Sequence, residues 1–397
     1  MPAPLLLDLS HTSHTRARTG IQRVTRSLQT ALGPRACAIT HDPHFAGWRE
    51  LESWERANLE ATAAAASRGA QWPLRARIRG RVRRLLGRTA PALPDNSGVI
   101  VPEVFSPGVA RALPALFAAA RGPRVALFHD AIALQLPELT PTKTVARFPA
   151  YLIELLAFDG IAAVSEDSAA ALTDYWRWLG APPPPPVQAI PLGVDRPNVT
   201  MPSGEAPDPD AVPTVLSVGS IEGRKNHLAL LEACERLWAG GTAFTLHLVG
   251  LAHPQTGAQA LRRIQELKTA GRPLRYDGPA SDAGLQAAYA RCQFTVYPSV
   301  HEGFGLPVIE SLAHGKPCIC SARGALGESA RGGGCVMLDV VSPEAIAAAI
   351  GRLVQTPSER ASLAAAARGR RFRTWSDYAD ALAGWMSGLQ ARAPAMR

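Results

Sequence analysis

Two glutamates, Glu302 and Glu310, stand with seven residues between them around the turn Gly303-Phe304-Gly305, in the stretch HEGFGLPVIE. A strand-like run, FTVYPS, precedes the stretch and a helix-like run, PVIESLAHG, follows it. The stretch should therefore be a loop entering a helix, with Pro307 at the helix start, Glu302 in the loop and Glu310 in the first turn. Backbone amides from Phe304 to Leu306 then lack helical partners and carry the positive end of the helix dipole, which suits a phosphate. Gly303 and Gly305 let a ligand approach the backbone closely. Two carboxylates beside a phosphate make sense if they grip hydroxyls on either side of it, the layout of a nucleotide sugar. On these residues alone a plainer reading stands beside it: Glu310 stabilises the dipole, and Gly-Phe-Gly is an ordinary turn.

A second stretch, SVGSIEGRKNHLALLEA (217–233), reads as a strand, a glycine turn at Gly219, and a helix with Arg224 and Lys225 at its mouth. Cations belong at the other end of a helix, so this pair conflicts with the dipole. An anion lying between them and the helix would remove the conflict, and a diphosphate is such an anion.

Both stretches need strands to carry them. In the first half PLLLDL, ACAIT, GVIVP, RVALFHD, IAAVS and VQAIPLG read as strands, and in the second TVLSVGS, FTLHLVG, LRYDG, FTVYPS, PCICSA and CVMLDV do. Helical periodicity fills the intervals, as at Ile21, Val24 and Leu28. Such alternation implies an α/β chain with parallel sheets covered on both faces. Residues 196–213 interrupt it with five prolines and no apolar period, and read as a linker. Asp208-Pro209-Asp210 lies in that linker and reads as solvated rather than metal-binding, while the proline run at 182–186 reads as a loop. The expected organisation is two doubly wound domains facing a central cleft: 1–195, the linker 196–213, a second domain over 214–375, and a helix and tail over 376–397.

At 397 residues the chain is long enough for two cores of about 150–200 residues each. Its 47% apolar and 19% charged content excludes a disordered chain. No apolar run reaches the roughly 18–20 residues needed to span a bilayer. Six cysteines without metal-ligand spacing point to a reduced, cytoplasmic setting, with Cys318 and Cys320 on one face of a buried strand. The net charge of +9 is uneven: residues 61–94 carry eight arginines and no acid. Leu74, Ile78, Val82, Leu85 and Leu86 follow helical spacing there, so residues 71–88 are expected to form a basic amphipathic helix. A solvated face and an anionic membrane surface are both open to it. Nucleic acid is disfavoured, because no aromatic residues are interleaved for stacking.

EGRKN, followed at the right interval by YPSVHEGFGLPVIESLAHGKPCICS, resembles the retaining family 4 glycosyltransferases of the GT-B fold. The likeness is strong over 212–375 and weaker at TGIQRV (19–24), LFHD (127–130), VSEDS (164–168) and IPLGVD (190–195). The TGIQRV form is similar to that of bacterial mannosyl- and rhamnosyltransferases of surface polysaccharides. The resemblance implies that Arg224 and Lys225 neutralise the diphosphate leaving group, that Glu310 holds the ribose hydroxyls and Glu302 the transferred sugar. It implies that Phe304, Gly305 and Leu306 offer amides to the donor, and that Gly219 and Gly20 border it. His129, at a strand's carboxyl end, would face the anomeric centre; capping or core packing is its plainer role. Asp130 would position the acceptor or cap the turn. One departure is that a paired-glycine loop common in the family is replaced by Thr19-Gly20 after HTSHTRAR, whose His and Arg residues have no assigned role.

The implied reaction moves a sugar from a nucleoside diphosphate, such as GDP-mannose, to a hydroxyl of a glycan or lipid-linked acceptor, without a metal or other cofactor. A nucleotide-sugar epimerase of the same fold, or a non-catalytic membrane or nucleic-acid binder, is the alternative.

Overall fold

The computed structural model describes residues 3–18, 20–61, 69–87, 91–180, 183–194 and 212–390. Most of the expected linker, with Asp208-Pro209-Asp210, lies outside them, as do Thr19, Arg68 and Arg88. The chain divides into two compact units, each drawn from separated segments. The first unit comprises Met1–Asp130, Arg147–Leu192 and Trp375–Arg397, and the second comprises Ala131–Ala146 and Gly193–Thr374. The helix Trp375–Ser387, expected as a C-terminal helix apart from both domains, is thus part of the first unit.

The first unit is built on a seven-stranded sheet of β1 (Leu5–Asp8), β2 (Ala36–Asp42), β3 (Gly47–Glu50), β4 (Val99–Val101), β5 (Arg124–Phe128), β6 (Gly160–Ala163) and β7 (Val187–Ala189). Their order is β3-β2-β1-β4-β5-β6-β7, and every pairing is parallel except that of β2 with β3. The strands β4, β5 and β6 are buried throughout, as continuous apolar runs require when helices cover both faces. The final helix closes one side. It packs on the helix Gly20–Leu32 and buries Tyr378, Ala379, Leu382 and Met386. A methyl group at Gly160 would stand 2.7 Å from Leu389 and 2.8 Å from Trp385, so only glycine fits beneath that helix.

The loop after β1 is held in place by buried charged side chains from outside it. Glu103 accepts hydrogen bonds from the amides of His11 and Thr12, both at 3.0 Å. Arg26 reaches back from its helix to the carbonyls of Ala17 and Thr15, both at 2.7 Å. His14 lies between the Ser10 carbonyl at 2.7 Å and the Glu55 carboxylate at 2.8 Å, with Trp54 and Trp72 against its ring. Arg49 closes the cluster by holding Glu55 and Asp42. Within the segment His14 therefore has structural work, and Arg18 donates to the Ala61 carbonyl at 2.8 Å.

The basic helix spans Leu74–Leu85. It seats Ala76 and Gly80 inward, where a methyl group at Gly80 would stand 2.8 Å from the His44 Cβ. Its larger apolar residues point outward: Leu74 is 66% exposed, Ile78 51%, Val82 46% and Leu85 86%. Among the described residues no helix is long and apolar enough to cross a membrane.

The second unit is built on six strands, β8 (Thr214–Val218), β9 (Thr245–Val249), β10 (Leu274–Tyr276), β11 (Phe294–Tyr297), β12 (Cys318–Ser321) and β13 (Cys335–Leu338). Their order is β10-β9-β8-β11-β12-β13, and all pairings are parallel. Ser342 caps the helix Pro343–Gln355 by accepting from the Ala345 amide, as Ser-Pro-Glu at a helix start predicts.

Candidate active site

In both sheets the strand order reverses beside the first strand, between β1 and β4 and between β8 and β11. A crevice opens beyond the carboxyl ends of the strands at such a switch point, and ligands settle there. The loops leaving β8 and β11 carry the two stretches singled out in the sequence, so the second unit brings them together.

The loop from β8 passes Gly219, which has a φ of 153° and an amide bonded to the Val249 carbonyl. A methyl group there would touch the Tyr297 ring at 3.6 Å and the Lys225 chain at 3.9 Å, so Gly219 leaves room beside the lysine. Gly223–Lys225 form a 3-10 turn, Asn226 takes a left-handed conformation at φ 53°, and a helix runs from His227 to Ala239. The loop from β11 is tied to this turn: the Val300 amide and the Ser299 hydroxyl both donate to the Arg224 carbonyl, at 3.0 and 3.1 Å. Gly305 caps the next helix at φ 99°, where a methyl group would stand 2.8 Å from Leu326. Ser329 donates to the Phe304 carbonyl at 2.6 Å and fixes the loop.

That helix spans Leu306–Ala313 and starts one residue earlier than expected, with Pro307 already inside it. Glu310 consequently lies in the second turn rather than the first, too far along to neutralise the dipole end as a first-turn acid would. It is buried, and the Tyr289 hydroxyl donates to its Oε2 at 3.2 Å. Tyr289 in turn stacks on His314, with centroids 4.7 Å apart. Among the described residues, the amides of Phe304, Gly305 and Leu306 have no hydrogen-bond acceptor in the protein.

Glu302 is the centre of the arrangement. Its Oε1 lies 2.5 Å from the Lys225 ammonium and accepts a short bond from the Ser299 hydroxyl. Its Oε2 lies 2.6 Å from Arg224 in a poorly aligned ion pair. Arg224 also meets Glu222 at 2.8 Å, and Lys225 donates to the Tyr297 hydroxyl while lying over that ring. Burial alone would raise the Glu302 carboxyl, but Arg224 and Lys225 outweigh it and hold the group at about 2. Burial, with Arg224 adding to it, lowers the Lys225 ammonium, against the pull of Glu302 and Glu222. The Tyr297 hydroxyl is pushed well up by burial and by Glu302, so it remains protonated. The anion that the Arg-Lys pair calls for is therefore supplied here by Glu302. Sequence reasoning placed Arg224, Lys225 and Glu302 near one ligand but did not find Glu222, Tyr297 or Ser299 as their partners, nor Tyr289 as the partner of Glu310. The aromatic and hydroxyl positions of FTVYPS were the signal available.

His129, Asp130 and Gly20 belong to the first unit. His129 directly follows β5 and is 7% exposed. Its Nε2 lies 2.7 Å from the Pro102 carbonyl, so Nε2 carries the proton and the neutral ring keeps its lone pair on Nδ1. Burial lowers its pKa, although the Pro102 carbonyl acts the other way. The Ser168 hydroxyl fixes the backbone by donating to the His129 carbonyl at 3.0 Å. Asp130 is half-buried. Gly20 opens its helix with open space where a side chain would stand. Asp8, which the sequence reading passed over, ends β1 at this unit's own switch point. Burial drives its carboxyl to about 7; bonds from Ser10 oppose the rise and Glu103 adds to it. Among the described residues no group of three or more His, Cys, Asp and Glu is placed to hold a metal ion.

Two Rossmann-like units of this strand order have the GT-B fold, and the second carries cations and unpaired amides at its switch point. Residues 212–356 match the family described as Glycosyl transferases group 1, so the second unit carries a domain of that kind. Over 336 residues, covering 79% of this chain, the sequence is 28% identical to the serotype-specific mannosyltransferase WbdA of Escherichia coli. The chain spans 38% of the length of that relative. It is also 34% identical over 145 residues to the O-antigen chain mannosyltransferase B of Escherichia coli, covering 36% of this chain and 38% of the relative. Among solved structures, Anabaena HepE in complex with UDP and glucose superposes with a TM-score of 0.68 at 16% identity, covering 98% of this chain and all of the other.

Proposed function

We propose that this chain is a retaining mannosyltransferase of cell-surface polysaccharide synthesis, transferring the sugar of GDP-mannose to a hydroxyl of a glycan or lipid-linked acceptor in the cytoplasm. The observation that carries the reading is the Arg224–Glu302–Lys225 cluster, with Lys225 and Glu302 buried, beside the open amides of Phe304, Gly305 and Leu306. When the bond between the anomeric carbon and the phosphate oxygen breaks, negative charge gathers on that oxygen. Fixed cations and amide dipoles at that point lower the barrier with little reorganisation. The acceptor oxygen bonds to the same face of the sugar, and its proton passes to the departing phosphate. Arg224 and Lys225 take the part that a bound cation would otherwise play, so the reaction is expected to run in the presence of a chelator. Glu310 receives the ribose hydroxyls, and Glu302 the hydroxyls of the sugar. The lone pair on His129 Nδ1 suits it to accept a hydrogen bond from the reacting partners rather than to donate a proton.

Support for mannose comes from two relatives that are named mannosyltransferases; support for a nucleotide donor comes from HepE, which was solved with UDP and glucose. The exposed apolar stripe of Leu74–Leu85, flanked by arginines, fits an anionic membrane surface, which would bring the enzyme to a lipid-linked acceptor. A panel of nucleotide sugars tests the reading by release of nucleoside diphosphate with and without acceptor, in EDTA. GDP-mannose should be turned over fastest. Interconversion of the sugar without release of the nucleotide would identify an epimerase instead, and no turnover of any donor would leave a binding protein.

A further inference from the structure

Glu302 faces two demands in this reading: it should hold the transferred sugar, yet both its oxygens are engaged by side chains of the protein. Oε1 meets Lys225 and Ser299, and Oε2 meets Arg224. The cluster Glu222, Arg224, Lys225 and Glu302 balances two carboxylates against two cations. A diphosphate arriving at this neutral cluster would meet Glu302 as a like charge on the same cations. We propose that Glu302 is an internal stand-in for the diphosphate, which holds Arg224 and Lys225 in place until the donor displaces it and turns it towards the sugar. The inference rests on the glycosyltransferase reading and adds an order of events to it.

The geometry permits the exchange without rebuilding the site. A carboxylate and a phosphate present similar oxygen pairs to a guanidinium and an ammonium, so the cations need not move. The backbones of the two loops are joined by Val300 and Ser299 to the Arg224 carbonyl, bonds that do not involve the Glu302 side chain except through the Ser299 hydroxyl. Lys225 keeps Tyr297 as a partner throughout. Rotation of one side chain, in a loop rather than a helix, is the whole motion required. The exchange also explains why Lys225 can be buried beside the half-buried Arg224 before any ligand arrives: an unpaired buried charge is costly, and Glu302 removes that cost. A nucleoside diphosphate sugar then finds a preformed site, and the freed carboxylate is released beside the sugar hydroxyls.

Isothermal titration of wild type and Glu302→Gln with inorganic diphosphate and with GDP tests the exchange. The variant should bind both about ten-fold more tightly, because the competing carboxylate is gone, while its transfer of sugar falls. Equal or weaker affinity in the variant, with binding intact in wild type, overturns the stand-in role and leaves the glycosyltransferase reading standing. Failure of both proteins to bind either probe overturns the two together. Should the variant not fold, a crystal structure of wild type with GDP decides. Glu302 should then be beyond hydrogen-bond reach of Lys225, and an intact Lys225–Glu302 pair beside bound diphosphate would refute the exchange.

Discussion

Replacing Glu302 by glutamine in the ligand-free protein should cost stability in a way that depends on pH. The carboxyl is held at about 2 in the fold against an ordinary value of 4.5. Each unit of such a shift is worth about 1.4 kcal/mol, so the ionised group contributes about 3 kcal/mol at neutral pH. Because the folded value is depressed, this stability is fully present above pH 4.5 and is lost as pH falls through 2. At pH 3 the linkage leaves only about 1 kcal/mol of it. Urea denaturation of wild type and Glu302→Gln at pH 7 and pH 3 measures the difference directly, and other titrating groups cancel in the comparison. Thermal melts at pH 7 should show a fall of roughly 6–12 °C for a unit of this size. An equal gap at both pH values would mean the loss comes from packing rather than charge. No gap at pH 7 would mean that the Arg224 and Lys225 contacts do not persist in solution.

Lys225→Ala and Arg224→Ala should each lower turnover by roughly two to three orders of magnitude, the scale of losing one group that stabilises developing charge. Steady-state assays on folded variants check this, and unchanged turnover removes that residue from the leaving-group role. Asp8 behaves oppositely to Glu302: its raised carboxyl keeps a proton that the unfolded chain loses above pH 4, so wild type weakens as pH rises towards 7. Asp8→Asn should therefore gain about 2–3 kcal/mol relative to wild type between pH 5 and pH 8 in urea titrations, and a constant difference would refute the buried, protonated state. Arg77, Arg81 and Arg84 changed to Gln should abolish sedimentation with anionic vesicles, at about 1 kcal/mol per charge, while neutral vesicles leave wild type in solution. Failure of wild type to sediment with anionic vesicles rejects the membrane surface.

The strands that build both sheets were legible because parallel strands buried on two faces must be continuous apolar runs, and twelve of them stand where the runs are. The strand Gly47–Glu50 was not, because its single apolar residue, Trp48, gives no pattern and its antiparallel pairing rests on a turn with Ala46 at φ 63°. The cations and the acids of the second unit were readable as types that need one another. Their pairing was not: Lys225 and Glu302 are 77 residues apart, and only the reversal of strand order at β8 and β11 brings them within 2.5 Å. The loop after β1 shows the same limit. Its histidines and arginines had no assigned role in the sequence, whereas His14 is consumed by Glu55 and Arg18 by the Ala61 carbonyl.

The helix Trp375–Ser387 lies at the far end of the chain from the strands it covers. A ribosome that has finished β7 has made every strand of the first sheet but not the helix that seals it. At about 5–20 residues per second, the roughly two hundred residues in between take about 10–40 s to appear. During that interval the pocket over Gly160 and the side of the Gly20–Leu32 helix that the final helix will occupy stay uncovered, while the second unit emerges whole. The unit that starts first is thus the last to be completed, and a nascent chain stalled before residue 375 presents bare apolar surface to chaperones and proteases alike.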